Sequence, residues 1–538
     1  MITRFLCVTS ALALSAGLVQ ADAFNRIASF PVVENMGPGE DKSRESSAEI
    51  IAATPDGMTL VYTDSPLGVV GMIDITVPSA PTFLGNIATP GEPTAVAVVG
   101  RRAYVGVNTS ESFTQPSGMI AVIDIDTKDI VATCDLSGQP DSVAVDGDGS
   151  FIAIAIENER DEDLGDGRVG QLPGGALDMF DLADNTVQCD TMRTATLTGL
   201  ADIAPEDPEP EFVDINGLGE TVVTLQENNY LVVVARDGSI VNHFSVGTVD
   251  LERVDTAEEG ALTFDDTLMA VPREPDSVKW IDDDHFATAN EGDMDGGSRG
   301  WTIFNKNGTV VYESGMSFEN AVIEIGHYPE GRSGNKGVEP ESITSGTFGG
   351  TPMIFVGSER GSVVGVYDAT DPANPVLAQL LPSGIGPEGY VTIPERNLLV
   401  SANEVADAGP RAHVMIFEFQ EGAEPVYPHL TSKGTTLPNG APLGWGAISG
   451  QVADGEQYVW AVNDSFYAMQ PTIFKIDVTM TPATIVDYIR VTREGQPAQK
   501  LDMEGITLDG EGGFWVASEG RTDRVIPHAI YHIGADGA

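Results

Sequence analysis

The sequence predicts an all-β protein: a seven-bladed β-propeller of four-stranded antiparallel blades, with an incomplete second propeller at the C-terminus. Three observations carry that expectation. One phrase recurs along the 538 residues: Pro with Asp or Glu, an apolar alternation, a Gly/Asp turn, a β-rich run, and a closing Asn, Asp or Glu. Its copies lie about 45 to 70 residues apart, the spacing of propeller blades that carry loop insertions. Runs with a 3.6-residue apolar period and capping residues are nearly absent, so helix should be scarce.

In chain order, MITRFLCVTSALALSAGLVQADA (1–23) reads as a secretory signal. Arg4 supplies the basic start, an apolar run extends from Phe5 to Leu18, and small-residue cleavage sites follow at 19–21 or 21–23. The mature protein is expected to be exported, to the periplasm or outside the cell. No later apolar stretch reaches the length of about 20 residues that spans a bilayer, so no membrane insertion is expected.

The segment FNRIASFPVV (24–33) is a strand without a blade of its own. AEIIAATPDG (48–57), PTAVAVVG (93–100), PDSVAVDGDG (140–149), PEFVDINGLG (210–219), PDSVKWIDDD (275–284), PESITSGTFGG (340–350) and PEGYVTIPER (387–396) open seven blades. Each opening strand turns into a second, as in VAVDGDGSFIAIAI with DGDG at the tip. A third strand such as GMIAVIDID ends in Asp, and a fourth such as DIVATCDL completes the sheet. The seventh copy supplies three strands, the last being HVMIFEFQ, so 24–33 is expected to pair there and close the ring. Closure removes sheet edges that would invite aggregation. Residues 24–425 are thus expected to form one propeller. Residues 426–538 hold two further copies, WGAISGQVADG (445–455) and MEGITLDGEG (503–512), and end in a third strand, IYHIGADGA. Two copies do not close a ring; these blades are either part of a larger domain or lean on something else.

The formal charge is −53, from 81 acidic and 28 basic residues. Nucleic acid and anionic membranes would be repelled. Cation binding fits this balance, and so does a solvated acidic surface suited to salty surroundings. Cys7 lies in the signal; Cys134 and Cys189 follow short apolar runs at corresponding places in neighbouring repeats. Export permits a disulfide between them, and spacing alone equally allows two free thiols.

Position within the blade gives the acids more meaning than their number does. The first strand of a propeller blade lines the central channel and the second runs back beside it. The start of the first and the end of the second therefore share one rim. Acid pairs sit at those places: Glu49 with Asp64, Asp141 with Glu157, Glu211 with Glu227, Asp276 with Glu291, Glu341 with Glu359, Glu388 with Glu404, and Glu504 with Glu519. The second blade departs, with Thr94 and Asn108. Crowded carboxylates raise one another's pKa or recruit cations. Hard oxygen ligands around one mouth suit Ca²⁺, which accepts six to eight oxygens in loose geometry. The candidate metal ligands are Asp141, Glu157, Asp276, Glu291, Glu341, Glu359, Glu388 and Glu404. The plainer alternative is that each acid bonds a neighbouring backbone N–H or an Arg and cements the ring.

Other motifs carry less. Asp146-Gly147-Asp148-Gly149-Ser150 resembles half a Ca²⁺ loop but sits at a hairpin tip, where a plain turn serves. Asp161, Asp163, Asp166, Asp293 and Asp295 lie on long loops just past the rim, placed either to complete a cation site or to be solvated. Arg332, Lys336, Arg360 and Arg521 are rim bases, read as salt-bridge partners or as contacts for a metal-bridged phosphate. HExxH and paired CxxC motifs are absent, and no Gly-rich loop precedes a helix.

Residues 24–425 resemble the choice-of-anchor I family of exported bacterial propellers. The resemblance rests on EPDSVKWIDDDHFATANEGD, GNKGVEPESITSGTFGGTPMIFVGSERGSVVGVYDATDP and GPEGYVTIPERNLLVSANE. Some members of that family are labelled alkaline phosphatase. Residues 440–538 resemble the start of the esterase-like activity of phytase domain, through DMEGI (502–506) and GFWVASEG (513–520). That likeness implies phosphomonoester hydrolysis, with Glu504 and Glu519 at the matching acidic positions as catalytic candidates. At the other copy Gly446 stands where an acid would be. The functional expectation is Ca²⁺-dependent binding or hydrolysis of a small phosphorylated molecule. The alternative is a non-catalytic surface or periplasmic propeller that binds a ligand or partner on its rim.

Overall fold

The computed structural model describes residues 22–538 apart from 162, 166, 169, 406–410, 500 and 521–525. The expected signal segment, Asp166 and Arg521 therefore lie outside the described residues. Seven antiparallel blades follow one another, and each begins at the central channel. The first four span Ile51–Ala88, Glu92–Asp135, Pro140–Thr196 and Pro210–Ser245. The fifth and sixth span Val278–Glu313 and Pro340–Pro382.

The seventh is composite. Pro387–Ile393, Leu398–Asn403 and His413–Gln420 receive Ala23–Pro31 as their outer strand, paired from Ala23 opposite Gln420 to Pro31 opposite His413 with a register shift between Arg26 and Ala28. The ring therefore closes by joining the first described strand to the last blade, as the orphan segment implied. The strand stops at Pro31, whose nitrogen has no proton for the ladder, and Val32–Asn35 form a 3₁₀ turn instead. Phe24 anchors the seam, with ring centroids 5.0 Å from Phe348, 5.4 Å from Phe355 and 5.2 Å from Phe419. Gln379 of the sixth blade accepts the Phe24 N–H at 3.0 Å and donates to its carbonyl at 2.8 Å.

Burial follows position in the blade. The second strands Phe151–Ile156 and Leu398–Asn403 are buried at every residue, because neighbouring blades cover both faces. At the circumference, Ile240–Ser245 alternates half-buried and exposed residues. Cys134 on the outer strand of the second blade is disulfide-bonded to Cys189 in the third, 55 residues away. That cross-link between neighbouring blades is worth about 2–4 kcal/mol.

Two features depart from the plain repeat. A hairpin of Thr248–Val254 and Asp266–Pro272 stands between the fourth and fifth blades, where the sequence indicated only a loop insertion. One α-helix, Ser317–Glu324, precedes the sixth blade; Met316 at its N-cap gives no side-chain bond. The C-terminal residues build a five-stranded sheet (Leu430–Thr431, Ile448–Asp454, Tyr458–Asn463, Thr472–Asp477, Ala483–Arg490) and a three-stranded sheet ending at Ala529–Ile533. The larger sheet does lean on something: Leu443, Ala461, Tyr467 and Phe474 share one core with Leu262 of the hairpin loop and Phe318, Val322 and Ile323 of the helix.

Candidate functional site

A recurring backbone device aims the first-strand acids. The ladder between first and second strands shifts register after Pro140, Pro210, Pro340 and Pro387, and the bulge in each case holds the next residue: Asp141, Glu211, Glu341 or Glu388. Proline lacks the N–H the ladder needs, and a bulge turns the following side chain out of the sheet's alternation. The second blade has the same shift around Thr94, whose hydroxyl donates to the carbonyl of Pro140 at 3.0 Å.

These side chains meet. Asp141, Glu211, Asp276, Glu291, Glu341 and Glu388 line a cavity of about 170 Å³ on the channel axis, together with Thr94 and Gln226. It is smaller than the roughly 300–1,000 Å³ of a small-molecule pocket. It suits an ion with water better than an organic ligand. Burial first, then the neighbouring carboxylates, push Glu211, Asp276, Glu341 and Glu388 well above the ordinary carboxylate range. Burial and then Glu159 push Asp141 up to about 7. Burial and mutual repulsion therefore favour the protonated carboxyls of this ring when no cation balances their charge. Carboxylate oxygens of Asp276, Glu291 and Glu341 lie within 4.8 Å of one another. The Oε2 atoms of Glu341 and Glu388 are shut off from solvent and have no hydrogen-bond partner. Close carboxylate oxygens with unused lone pairs fit a hard divalent cation.

The acids at the ends of the second strands divide. Glu291 lines the cavity, while Glu157, Glu359 and Glu404 do not. Glu291 accepts hydrogen bonds from Gln226 at 2.9 Å and from Lys336 at 3.3 Å. Glu359 is ion-paired with Arg360. Glu157 takes a long contact from Gln139, 3.4 Å, and burial drives its pKa well up. A second grouping, Glu291, Glu339 and Glu359, also comes within 4.8 Å, but bases already fill it. Arg360 lies 2.7 Å and Lys336 3.7 Å from Glu339, and Arg332 pairs with it as well. In the first blade, Glu49 accepts from Ser65, and Asp64 caps the N–H groups of Ser47 and Leu67.

Glu339 belongs to a set the sequence reading passed over. Glu209, Glu274 and Glu339 each precede the Pro-acid pair, and all three are buried. Glu209 pairs with Arg160, and Glu274 accepts three backbone N–H groups from Asp293, Asp295 and Gly296. These acids anchor the long rim loops. The signal was present as the tripeptide Glu-Pro-Asp/Glu at 209, 274 and 339.

The remaining candidates serve structure or stand open. Asp146 accepts the N–H groups of Ser150 and Phe151 and the Ser150 hydroxyl, so its carboxylate closes a plain turn. Asp295 pairs with Arg168, and Asp161 caps the N–H of Asp163. Glu504 and Glu519 are exposed. Glu504 accepts from Ser449 at 2.5 Å and sits with Asp502 near Asp464, whose pKa burial and those two acids raise. Among the described residues, no helix is long and apolar enough to cross a membrane.

Comparison with known proteins gives two family matches. The choice-of-anchor I domain matches residues 49–296 and 294–372, and the esterase-like activity of phytase domain matches residues 443–538. No curated protein sequence matches. Among solved structures, the RRP9 WD40 repeats superpose with a TM-score of 0.48 at 11% identity, covering 73% of this chain and 99% of that one. Virginiamycin B lyase from Staphylococcus aureus gives 0.46 at 12%, covering 74% and 99%. The β-propeller domain of Myceliophteria thermophila Cps50 gives 0.42 at 9%, covering 70% and 97%.

Proposed function

The chain belongs to the choice-of-anchor I family, and from that premise we propose that it is an exported propeller scaffold whose channel holds Ca²⁺ and, through it, the phosphate of a small phosphorylated molecule. The observation that carries this reading is the trio of Asp276, Glu291 and Glu341, with the Glu341 Oε2 unpartnered. When bound, Ca²⁺ would supply positive charge for phosphate oxygens and lower the pKa of a coordinated water. Asp276, Glu291 and Glu341 would hold it; Glu211 and Glu388 would take up protons at the cavity wall; Lys336 keeps Glu291 in place. Phosphomonoester hydrolysis is the further step, supported by the phytase-type match at 443–538. The exposed Glu504 and Glu519 are its candidate residues.

One observation favours a second reading, a non-catalytic binding propeller. The cavity is too small to take in a phosphorylated organic molecule, and Arg332, Lys336 and Arg360 are already paired with carboxylates. An assay with a generic phosphomonoester, in Ca²⁺ and in chelator, separates the two. Turnover that needs Ca²⁺ and is lost in Glu341→Gln supports hydrolysis at the channel. Turnover unaffected by Glu341→Gln but lost in Glu504→Gln moves it to the C-terminal sheets. Calcium binding without turnover leaves the scaffold.

A further inference from the structure

Asp255 lies in the loop of the inserted hairpin, between the propeller and the C-terminal sheets, and is fully buried. Its Oδ1 accepts the N–H and hydroxyl of Thr263 at 2.9 and 3.3 Å. Its Oδ2 is sealed from solvent and bonds nothing. Among the described residues no base pairs with it. The buried guanidinium of Arg299 serves a second fully buried carboxylate, Glu319, at 3.2 Å, and also bonds the Tyr328 hydroxyl and the Ser333 carbonyl. Asp255 is thus left without a base of its own, and an unmatched buried carboxylate is strongly unfavourable.

Two further groups converge on the same place. Glu330, from the propeller, accepts the N–H of Gly260 at 2.5 Å. Tyr467, from the C-terminal sheet, is 3% exposed, and its hydroxyl has no partner. Burial pushes the pKa of that phenol up, and the negative charges of Glu330 and Asp255 add to the shift. An orphan acceptor and an orphan donor, each buried, lie in segments that Gly260 ties together, its N–H reaching Glu330 and its carbonyl taking the N–H of Met469, and both are satisfied by a hydrated cation. We propose that Asp255 and Glu330 bind a hard divalent cation of the Ca²⁺ class at this seam, with the Tyr467 hydroxyl donating to a water in its shell. The ion locks the C-terminal sheets to the propeller. The segments it joins are already laced together: Met469 donates to the carbonyl of Gly260 at 3.0 Å, and Gln470 bonds both backbone groups of Leu262. This site shares no ligand with the channel and does not depend on it.

The experiment uses the full chain, stripped with chelator and titrated with Ca²⁺, read by calorimetry and by hydrogen exchange over residues 255–266 and 463–470. Exchange in both segments should slow by about tenfold or more on Ca²⁺ addition. With the channel disabled by Asp276→Asn and Glu341→Gln, Ca²⁺ binding and this protection should persist, and adding Asp255→Asn should abolish both. Tyr467→Phe should weaken Ca²⁺ binding in the same background by roughly tenfold, through loss of the outer hydrogen bond. Unchanged exchange in the native chain at saturating Ca²⁺, or undiminished binding in Asp255→Asn, would mean that water alone occupies the seam, and the proposal falls. If Asp255→Asn does not fold, the native-chain exchange measurement decides by itself.

Discussion

Glu291 is claimed from two sides. On the channel side it forms a trio with Asp276 and Glu341; on the outer side it belongs with Glu339 and Glu359, where Lys336 lies 3.3 Å away. Lys336 acts as a tethered cation for the outer grouping, and under the proposed function the inner one is left to an ion from solution. Replacing it by Met should strand buried carboxylates and lower stability in chelator by about 3 kcal/mol, the scale of breaking a buried pair. Added Ca²⁺ should restore most of that loss, because the outer grouping then becomes a second place for an ion. Denaturant unfolding with and without Ca²⁺ checks this; equal losses in both conditions would show that Lys336 contributes only as a salt-bridge partner. Chemistry at this scale was half legible. Asp141, Glu341 and Glu388 announce themselves by following proline at the start of an apolar alternation. Glu339 and Glu274 stand on the other side of such prolines, but a buried acid that serves a loop cannot be told from a solvated one until the loop's path is known.

At the scale of the element, ring closure concentrates stability in one strand. Ala23–Pro31 pairs only along His413–Gln420, and Phe24 fills a pocket of three aromatic rings. Phe24→Ala should cost about 3–5 kcal/mol. It should also raise hydrogen exchange selectively in 413–420, since those amides lose their outer neighbour; uniform loss of protection across all blades would instead mean that the ring opens only by global unfolding. The strand was visible in the sequence because it was left over when the blades were counted. The helix Ser317–Glu324 was not, because Met316 stands where a capping Ser or Asp would mark a start. The inserted hairpin was hidden for another reason. TVDLERV alternates like any strand, and only the absence of a blade around it sets it apart. Docking of the C-terminal sheets follows from that hairpin and helix, so it was out of reach as well.

At the scale of the whole molecule, the gathered carboxylates make stability depend on pH in an unusual direction. A carboxyl whose pKa rises on folding keeps a proton that the unfolded chain has released, so its contribution is fully present below the unfolded value and is lost as pH climbs through the folded one. Burial lifts Asp141 and Glu49 to about 7 and Glu359 to about 8 from 3.8, 4.5 and 4.5. In chelator the protein should therefore lose stability steadily between about pH 5 and pH 8. Under the proposed function calcium should reverse the trend by binding the ionised ring; its stabilising effect should be small at pH 5 and largest at pH 8. Melting temperature across that range, in Ca²⁺ and in chelator, measures both halves. Surface repulsion from the net charge of −53 would add a similar slope, so the series belongs in high salt, where exposed charges are screened and the enclosed ring is not. A chelated protein that melts higher at pH 8 than at pH 5 would mean that the ring carboxylates are already ionised and balanced within the fold, leaving the channel no call for a cation.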